Sequence, residues 1–388
     1  MRIDFRLAFA LIPFALGASL TSPPANRLAL TPPMGWNSWN HFGCNVSDSL
    51  IRGTADAMVS TGMRSAGYQY VVIDDCWQVS RDSKGVIVAD ASRFPHGIKA
   101  LADYVHSKGL RFGIYTDAGT KTCQGRPGSY GYEDLDARTY AEWGVDYVKE
   151  DWCNASGLNA PVQYAKFRQA LDKTGRPIVL SICEWGSNQP WDWAPRSGNL
   201  WRTTDDIEDK WNSMLSNLDQ SSQHSTVARP GAWNDPDMLE VGNGGMTDDE
   251  YRAHMSLWAI QAAPLIAGND LRTMSEATKT ILTNPEVLAV DQDSLGAQGI
   301  LAWEPVPDLQ VWAKPLRNGT HAVVLLNRSA KPDSITVYLS RVGIRADSAS
   351  VRDLWSHAEI GRVKGRFSAL VKPHSALMLR MAAVGKRP

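Results

Sequence analysis

Between residues 28 and 290 short apolar runs alternate with stretches of helical period. The runs Tyr70–Ile73, Leu110–Tyr115, Val145–Lys149, Ile178–Ser181 and Leu200–Thr203 have the length of buried strands. Between them, Ile98, Leu101, Ala102 and Val105 recur at helical spacing, and Gly109 stops that segment. Thr247 followed by Glu250 is a capping-box signature for a further helix. Strands alternating with helices predict a parallel sheet, as a barrel or a doubly wound layer. Past residue 299 the pattern changes. Ile300–Trp303, Leu309–Ala313, Ala322–Asn327, Ser334–Leu339 and Ala376–Met381 are short β-like runs, with turns at Arg317-Asn318-Gly319 and Lys331-Pro332-Asp333. These predict an antiparallel β domain. The 388 residues suit a barrel of roughly 250 residues with a smaller partner. The expected division is an α/β barrel over 28–298 and a β domain over 299–385.

Composition narrows the choice. Forty basic against 41 acidic residues leave a net charge of −1, which offers no basic footprint for nucleic acid or an anionic membrane. The 15 Trp residues suit stacking against sugar rings as well as core packing. At the N-terminus, Arg2 and Arg6 precede the apolar run Leu7–Leu16 and the small residues Ala15, Gly17, Ala18 and Ser19. Residues 1–19 therefore read as a cleaved signal peptide, with a secreted or periplasmic destination. No other run approaches a membrane span. Export permits the five cysteines to pair.

Polar residues gather where the apolar strand cores end: Asp74-Asp75-Cys76-Trp77, Lys149-Glu150-Asp151-Trp152-Cys153, Cys183-Glu184-Trp185, Arg202-Thr203-Thr204-Asp205-Asp206, and Asn234-Asp235-Pro236-Asp237. A barrel collects the C-terminal ends of its strands on one face, and that face holds its active site. Carboxylates with Trp, and no ordered set of His, point to glycoside hydrolysis by a pair of acids. Strand alternation puts Lys149 and Asp151 on one side and Glu150 on the other. A cation beside Asp151 favours its ionised form, whereas Asp205 beside Asp206 favours a retained proton there. A simple Lys149–Asp151 ion pair and Asp206 as a helix cap are the alternatives on spacing alone.

The motifs Leu30-Thr31-Pro32-Pro33-Met34-Gly35-Trp36-Asn37-Ser38-Trp39-Asn40, Asp74–Trp77, Gly113-Ile114-Tyr115, Lys121-Thr122-Cys123, Lys149–Cys153, Trp201–Ile207 and Trp233–Met238 together resemble the α-galactosidase (melibiase) family, glycoside hydrolase family 27. The resemblance runs in order over about residues 28 to 300. It implies a (β/α)8 TIM barrel followed by a C-terminal antiparallel β-sandwich. It also implies retaining hydrolysis of terminal α-D-galactosyl groups, with Asp151 as nucleophile and Asp206 as acid/base. Trp39, Asp74, Asp75, Tyr115, Lys149, Glu184, Trp185, Arg202 and Asp237 would surround the sugar. Glu184-Trp185 would fill the space that relatives acting on α-N-acetylgalactosaminides leave open, and Asp74-Asp75 argues against β-L-arabinopyranosides. The resemblance pairs Cys44 with Cys76 and Cys123 with Cys153, and leaves Cys183 free. It implies no cofactor and no metal, and an α-galactoside-bearing oligo- or polysaccharide as substrate. Two rival readings are a glycosyltransferase, from Asp235-Pro236-Asp237, and a carbohydrate-binding relative without catalysis.

Overall fold

The computed structural model describes residues 28–385. The expected signal peptide at 1–19 lies outside them. Eight parallel strands form one sheet: β1 (Met34–Asn37), β2 (Tyr70–Val72), β3 (Arg111–Asp117), β4 (Tyr147–Asp151), β5 (Val179–Cys183), β6 (Leu200–Arg202), β7 (Trp233–Asp235) and β8 (Leu265–Ala267). β1 to β7 pair in chain order, and β8 pairs with β1, Met34 lying opposite Leu265. A bridge from Leu239, just past β7, to Ala267 in β8 closes the ring. The sheet is therefore a (β/α)8 barrel.

Alternation along the strands sorts their side chains. Val71, Phe112, Ile114, Val148, Leu180, Ile182 and Trp201 face outward into the main core beneath the helices. Tyr70, Val72, Tyr147, Val179, Leu200 and Trp233 face inward and form a separate apolar plug. The Tyr70 and Tyr147 rings meet there at 5.3 Å between centroids. At Gly113 a side chain would come within 2.6 Å of Val72 Cγ2, so the plug closes only around a glycine. Above this layer the inward positions turn polar: Lys149 and Asp151 on β4, Ser181 and Cys183 on β5, and Arg202 on β6.

The outer helices are α1 (Asp48–Ser60), α2 (Gly97–Ser107), α3 (Glu133–Trp143), α4 (Ala160–Lys173), α5 (Trp211–Ser222), α6 (Asp248–Ile260), α7 (Glu276–Leu282) and α8 (Pro285–Asp291). In α2 the four residues read at helical spacing are all buried, and Gly109 follows at φ +70°. The Thr247–Glu250 capping box opens α6. Among the described residues, no helix is long and apolar enough to cross a membrane.

The C-terminal strands are β9 (Ile300–Val306), β10 (Leu309–Pro315), β11 (His321–Asn327), β12 (Asp333–Tyr338), β13 (Ser348–Asp353), β14 (Ala358–Lys364), β15 (Arg366–Val371) and β16 (Ser375–Val384). Six form an antiparallel sheet in the order β9-β10-β11-β16-β13-β14, and β12 pairs with β15. One face of the large sheet, with Val311, Val323, Leu325 and Leu379, shares a core with Ile335 and Val337 of the small one. The other face sends Trp312, Val324, Leu326 and Met378 into the barrel's core. At this junction Lys314 is fully buried. Its Nζ donates to the Ala259 carbonyl at 3.2 Å and to the Val290 carbonyl at 2.7 Å, near the C-terminal ends of α6 and α8.

Candidate active site

The strand ends are locked before any ligand arrives. Asp74 Oδ1 accepts the Asp75 backbone N–H at 2.9 Å. Its Oδ2 accepts Asn37 Nδ2 at 2.7 Å and Lys149 Nζ at 2.9 Å. The Asp74 N–H itself donates to Ser38 Oγ. Asn37 and Ser38, in the first motif, therefore support the Asp74 carboxylate from the end of β1. Asp75 accepts the Cys76 N–H at 2.6 Å and the Gln124 N–H at 3.0 Å. Cys44–Cys76 and Cys123–Cys153 are both disulfides and Cys183 is a buried free thiol, the pairing the resemblance implied.

The β3–β4 register sets Tyr115 opposite Lys149 and Asp117 opposite Asp151. Asp151 is 5% exposed. Its Oδ2 accepts the Tyr115 hydroxyl and its Oδ1 the Trp152 N–H, both at 2.9 Å. Burial outweighs the nearby Lys149 cation and pushes the Asp151 carboxyl up to about 6. The expected lowering by Lys149 is present but is the smaller effect. For Lys149, burial opposes the charge, yet Asp74, Cys183 and Asp151 hold its ammonium well above the usual range. Asp117 accepts the Gly119 N–H at 2.6 Å and the Cys153 N–H at 2.8 Å, which fastens the disulfide loop beside Asp151. Glu150 faces away from the cleft, as the alternation requires. It is buried, and burial and then Asp117 push its carboxyl well up.

Arg202, fully enclosed on β6, organises the far side. Its Nη1 lies 3.1 Å from Asp237 Oδ1 and its Nη2 3.1 Å from Asp206 Oδ1. Nη1 also approaches Cys183 Sγ at 3.7 Å. The Asp206 side chain remains 69% exposed at the cleft mouth. Partial desolvation pushes its carboxyl up, but the charges of Arg202 and Lys149 and the Arg202 hydrogen bond hold it below the ordinary value. The expectation of a proton retained through repulsion from Asp205 is thus corrected: Asp205 is exposed outside the cleft, and Arg202 dominates. Asp237 also accepts the Ile207 N–H at 2.8 Å. It is engaged with Arg202 rather than free as half of an acidic metal pair.

A second correction concerns Glu184. Strand parity points Cys183 inward, so the next side chain turns out. Glu184 is fully buried but does not line the cleft. Its Oε2 accepts the Asn188 N–H at 2.6 Å and Asn188 Nδ2 at 2.8 Å, while burial pushes the carboxyl up to about 7. Trp185 returns to the cleft wall through a backbone at φ +56°. Cys76 at +78° and Asp237 at +85° share this uncommon region.

The resulting cleft has a volume of about 600 Å³. It is lined by Trp39, Asp74, Asp75, Tyr115, Lys149, Asp151, Trp185, Arg202, Asp206 and Asp237, every expected site residue except Glu184. The sequence reading missed a further wall that includes Asn40, His41, Glu208, Asp209, Glu240 and Asn243. Only Asn40 lay inside a motif that signalled it.

The family described as alpha galactosidase A matches residues 31–293, and the alpha galactosidase C-terminal beta sandwich domain matches residues 306–381. Alpha-galactosidase 2 of Arabidopsis thaliana is 52% identical over 97% of this chain and 96% of its own. The crystal structure of alpha-galactosidase I from Mortierella vinacea superposes with a TM-score of 0.90 at 39% identity, covering 93% of this chain and 99% of that one. The Saccharomyces cerevisiae alpha-galactosidase solved with raffinose superposes at 0.88 with 30% identity, over 94% of this chain and all of that one.

Proposed function

The chain belongs to the alpha galactosidase A family, and on that premise we propose how its cleft carries out the family's reaction. It is a glycoside hydrolase that releases terminal α-D-galactosyl residues with retention of anomeric configuration. Asp151 attacks the anomeric carbon and forms a covalent galactosyl-enzyme, while Asp206 protonates the departing oxygen. Asp206 then accepts a proton from water as the water oxygen attacks the anomeric carbon, which breaks the bond to Asp151 and releases galactose. Asp74, Asp75, Lys149, Arg202 and Asp237 hold the galactosyl hydroxyls, and Trp39 and Trp185 offer apolar faces to the ring.

The observation that carries this assignment is the contrast between two carboxylates in one cleft. Asp151 is 5% exposed with both oxygens held by fixed donors, whereas the Asp206 side chain is 69% exposed. A nucleophile needs fixed lone pairs, and an acid/base group needs access to water. The test is hydrolysis of p-nitrophenyl α-galactoside by Asp151→Asn and Asp206→Asn. Asp151→Asn keeping more than about 1% of wild-type kcat/KM on the aryl galactoside, or Asp206→Asn keeping more than about 1% on an α-galactosyl disaccharide, whose leaving sugar needs the proton, would sink the assignment. With azide added, Asp151→Gly should yield the β-galactosyl azide and Asp206→Gly the α-azide.

The leaving group is a saccharide, a reading supported by the raffinose-bound yeast relative. Export through the signal peptide at 1–19 is supported by the two disulfides. N-terminal sequencing of protein recovered outside the cytoplasm, starting near residue 20, checks it.

A further inference from the structure

The net charge of −1 hides a division between the two domains. Residues 28–298 carry 23 basic and 34 acidic side chains, whereas residues 299–385 carry 12 basic and only 6 acidic ones. Part of that excess fastens the β domain to the acidic barrel. Arg328 pairs with Asp219, Arg352 and Arg380 with Glu286, and Lys372 with Asp249. Lys314 is buried beside Asp291. A second set has no such task. Arg341, Arg345, Arg362, Lys364 and Arg366 are all exposed, and among the described residues none forms an ion pair.

These five lie on adjoining segments. Strand parity sends Arg362 and Lys364 to the outer face of β14, while Val363 between them packs on the domain core. Gly365, at φ +70°, turns the chain into β15, which starts at Arg366. The register sets Arg366 opposite Tyr338 at the end of β12, and Lys364 opposite Ser348 at the start of β13. Arg341 lies in the 3-10 turn Leu339–Val342, its guanidinium 4.4 Å from the Trp303 ring centroid. Ser340, Arg345 and Lys364 line a groove of about 730 Å³, with the apolar Leu339 and Ile344 and a single acid, Asp347.

Folding does not call for this arrangement, because exposed like charges on adjoining segments repel one another. Residues two apart on a strand sit about 7 Å from each other, so the row extends further than one small anion covers. Guanidinium groups match carboxylates in a two-point fork. Sugar-like surroundings lie next to the row. Tyr338 is exposed beside Arg366, and on the same outer face the Thr336 and Ser368 hydroxyls meet at 2.8 Å. Repeated carboxylates on a hydroxyl-rich chain answer all of these features.

We propose that this groove is a second carbohydrate site, which holds an acidic, uronate-bearing polysaccharide. Binding there keeps the barrel close to the galactosyl ends of the same material and raises their effective concentration. The site acts apart from the chemistry at Asp151, so it stands or falls on binding alone.

The test is affinity electrophoresis of the full chain through gels containing polygalacturonate. Polygalacturonate should retard the wild type at low salt, its fully methyl-esterified form should not, and about 200 mM NaCl should weaken retention about 10-fold. Arg345→Gln/Lys364→Gln should weaken retention by about 10-fold or more. Arg317→Gln/Lys331→Gln, which removes the same charge elsewhere in the domain, should change it by less than about 2-fold. Both double variants should hydrolyse p-nitrophenyl α-galactoside like the wild type, which shows that they fold. An unretarded wild type, equal losses in the two double variants, or equal retention by the methyl ester would overturn the assignment. So would tighter binding to DNA or to phosphatidylglycerol vesicles, which would make the partner a phosphate polymer or a membrane. Self-association abolished by Arg345→Gln/Lys364→Gln, without polygalacturonate binding, would give the groove to the acidic barrel of a second copy.

Discussion

The Tyr115 hydroxyl lies 2.9 Å from Asp151 Oδ2, and the contact belongs to two paired strands rather than to a loop. The register that sets Tyr115 opposite Lys149 delivers a hydrogen-bond donor and a cation to the same carboxylate. Tyr115→Phe should therefore lower kcat by about 10- to 100-fold, the effect of one lost bond to a charged group. The bond favours the ionised form, so its loss should also raise the Asp151 pKa. An unchanged kcat would show that the Trp152 N–H alone orients the carboxylate.

The pH profile follows from the unequal settings of the two acids. Burial pushes Asp151 up to about 6, while Arg202 holds Asp206 below its ordinary 3.8. Between these limits the pair holds one proton, mostly on Asp151, whereas the reacting form has it on Asp206. Hence kcat/KM should rise as pH falls through about 6 and fall again only where Asp206 takes up a second proton. A maximum at neutral or alkaline pH would contradict this order.

Sugar selection should depend on Trp185 rather than on Glu184. Glu184 accepts both Asn188 hydrogen bonds outside the cleft, so Glu184→Gln should leave the ratio of galactoside to N-acetylgalactosaminide turnover where it is. Trp185→Ala removes part of the cleft wall and should raise relative turnover of the acetamido sugar. Competition assays with the two aryl glycosides distinguish these outcomes.

Stability should depend on the buried cation between the domains. Burial pushes Lys314 down and Asp291 up, and each opposes the shift of the other. Lys314→Ala strips two helix-end carbonyls of their donor and leaves buried Asp291 with the Gln292 amide but no cation, at a loss of about 3 kcal/mol. Urea denaturation measures it, and a loss below about 1 kcal/mol would mean that water takes over the lysine's contacts.

The legible parts of the sequence were those with an unbroken apolar signal. Five inward-and-outward strands could be read because Ile, Val, Leu and Tyr run together there. β1 and β8 did not register because Pro and Gly interrupt the apolar run around them: Pro32, Pro33 and Gly35 at β1, Pro264 and Gly268 at β8. β13, β14 and β15 carry charged or exposed residues along much of their length, so their pairing is invisible to a hydrophobic pattern. Lys149 and Asp151 were placed correctly because they lie inside a strand, where parity holds. Glu184 was misplaced because it stands one residue past a strand end, where parity turned it out while its position in the motif suggested the opposite. For Asp206, the neighbour in sequence mattered less than Arg202, four residues away and on the strand before it. The Glu240 wall is assembled from three separate segments, and no spacing in the chain announces it.

The apolar plug of Tyr70, Val72, Tyr147, Val179, Leu200 and Trp233 makes the cleft blind. Substrate can only be threaded in by its tip, so a galactose in mid-chain never reaches Asp151, and the enzyme trims ends without cutting backbones. Traffic through the single mouth is last in, first out. The departing sugar must clear the doorway before water can reach the covalent intermediate, and galactose, deepest in the queue, leaves last. Accumulated galactose should therefore block the same doorway, as a competitor of every substrate.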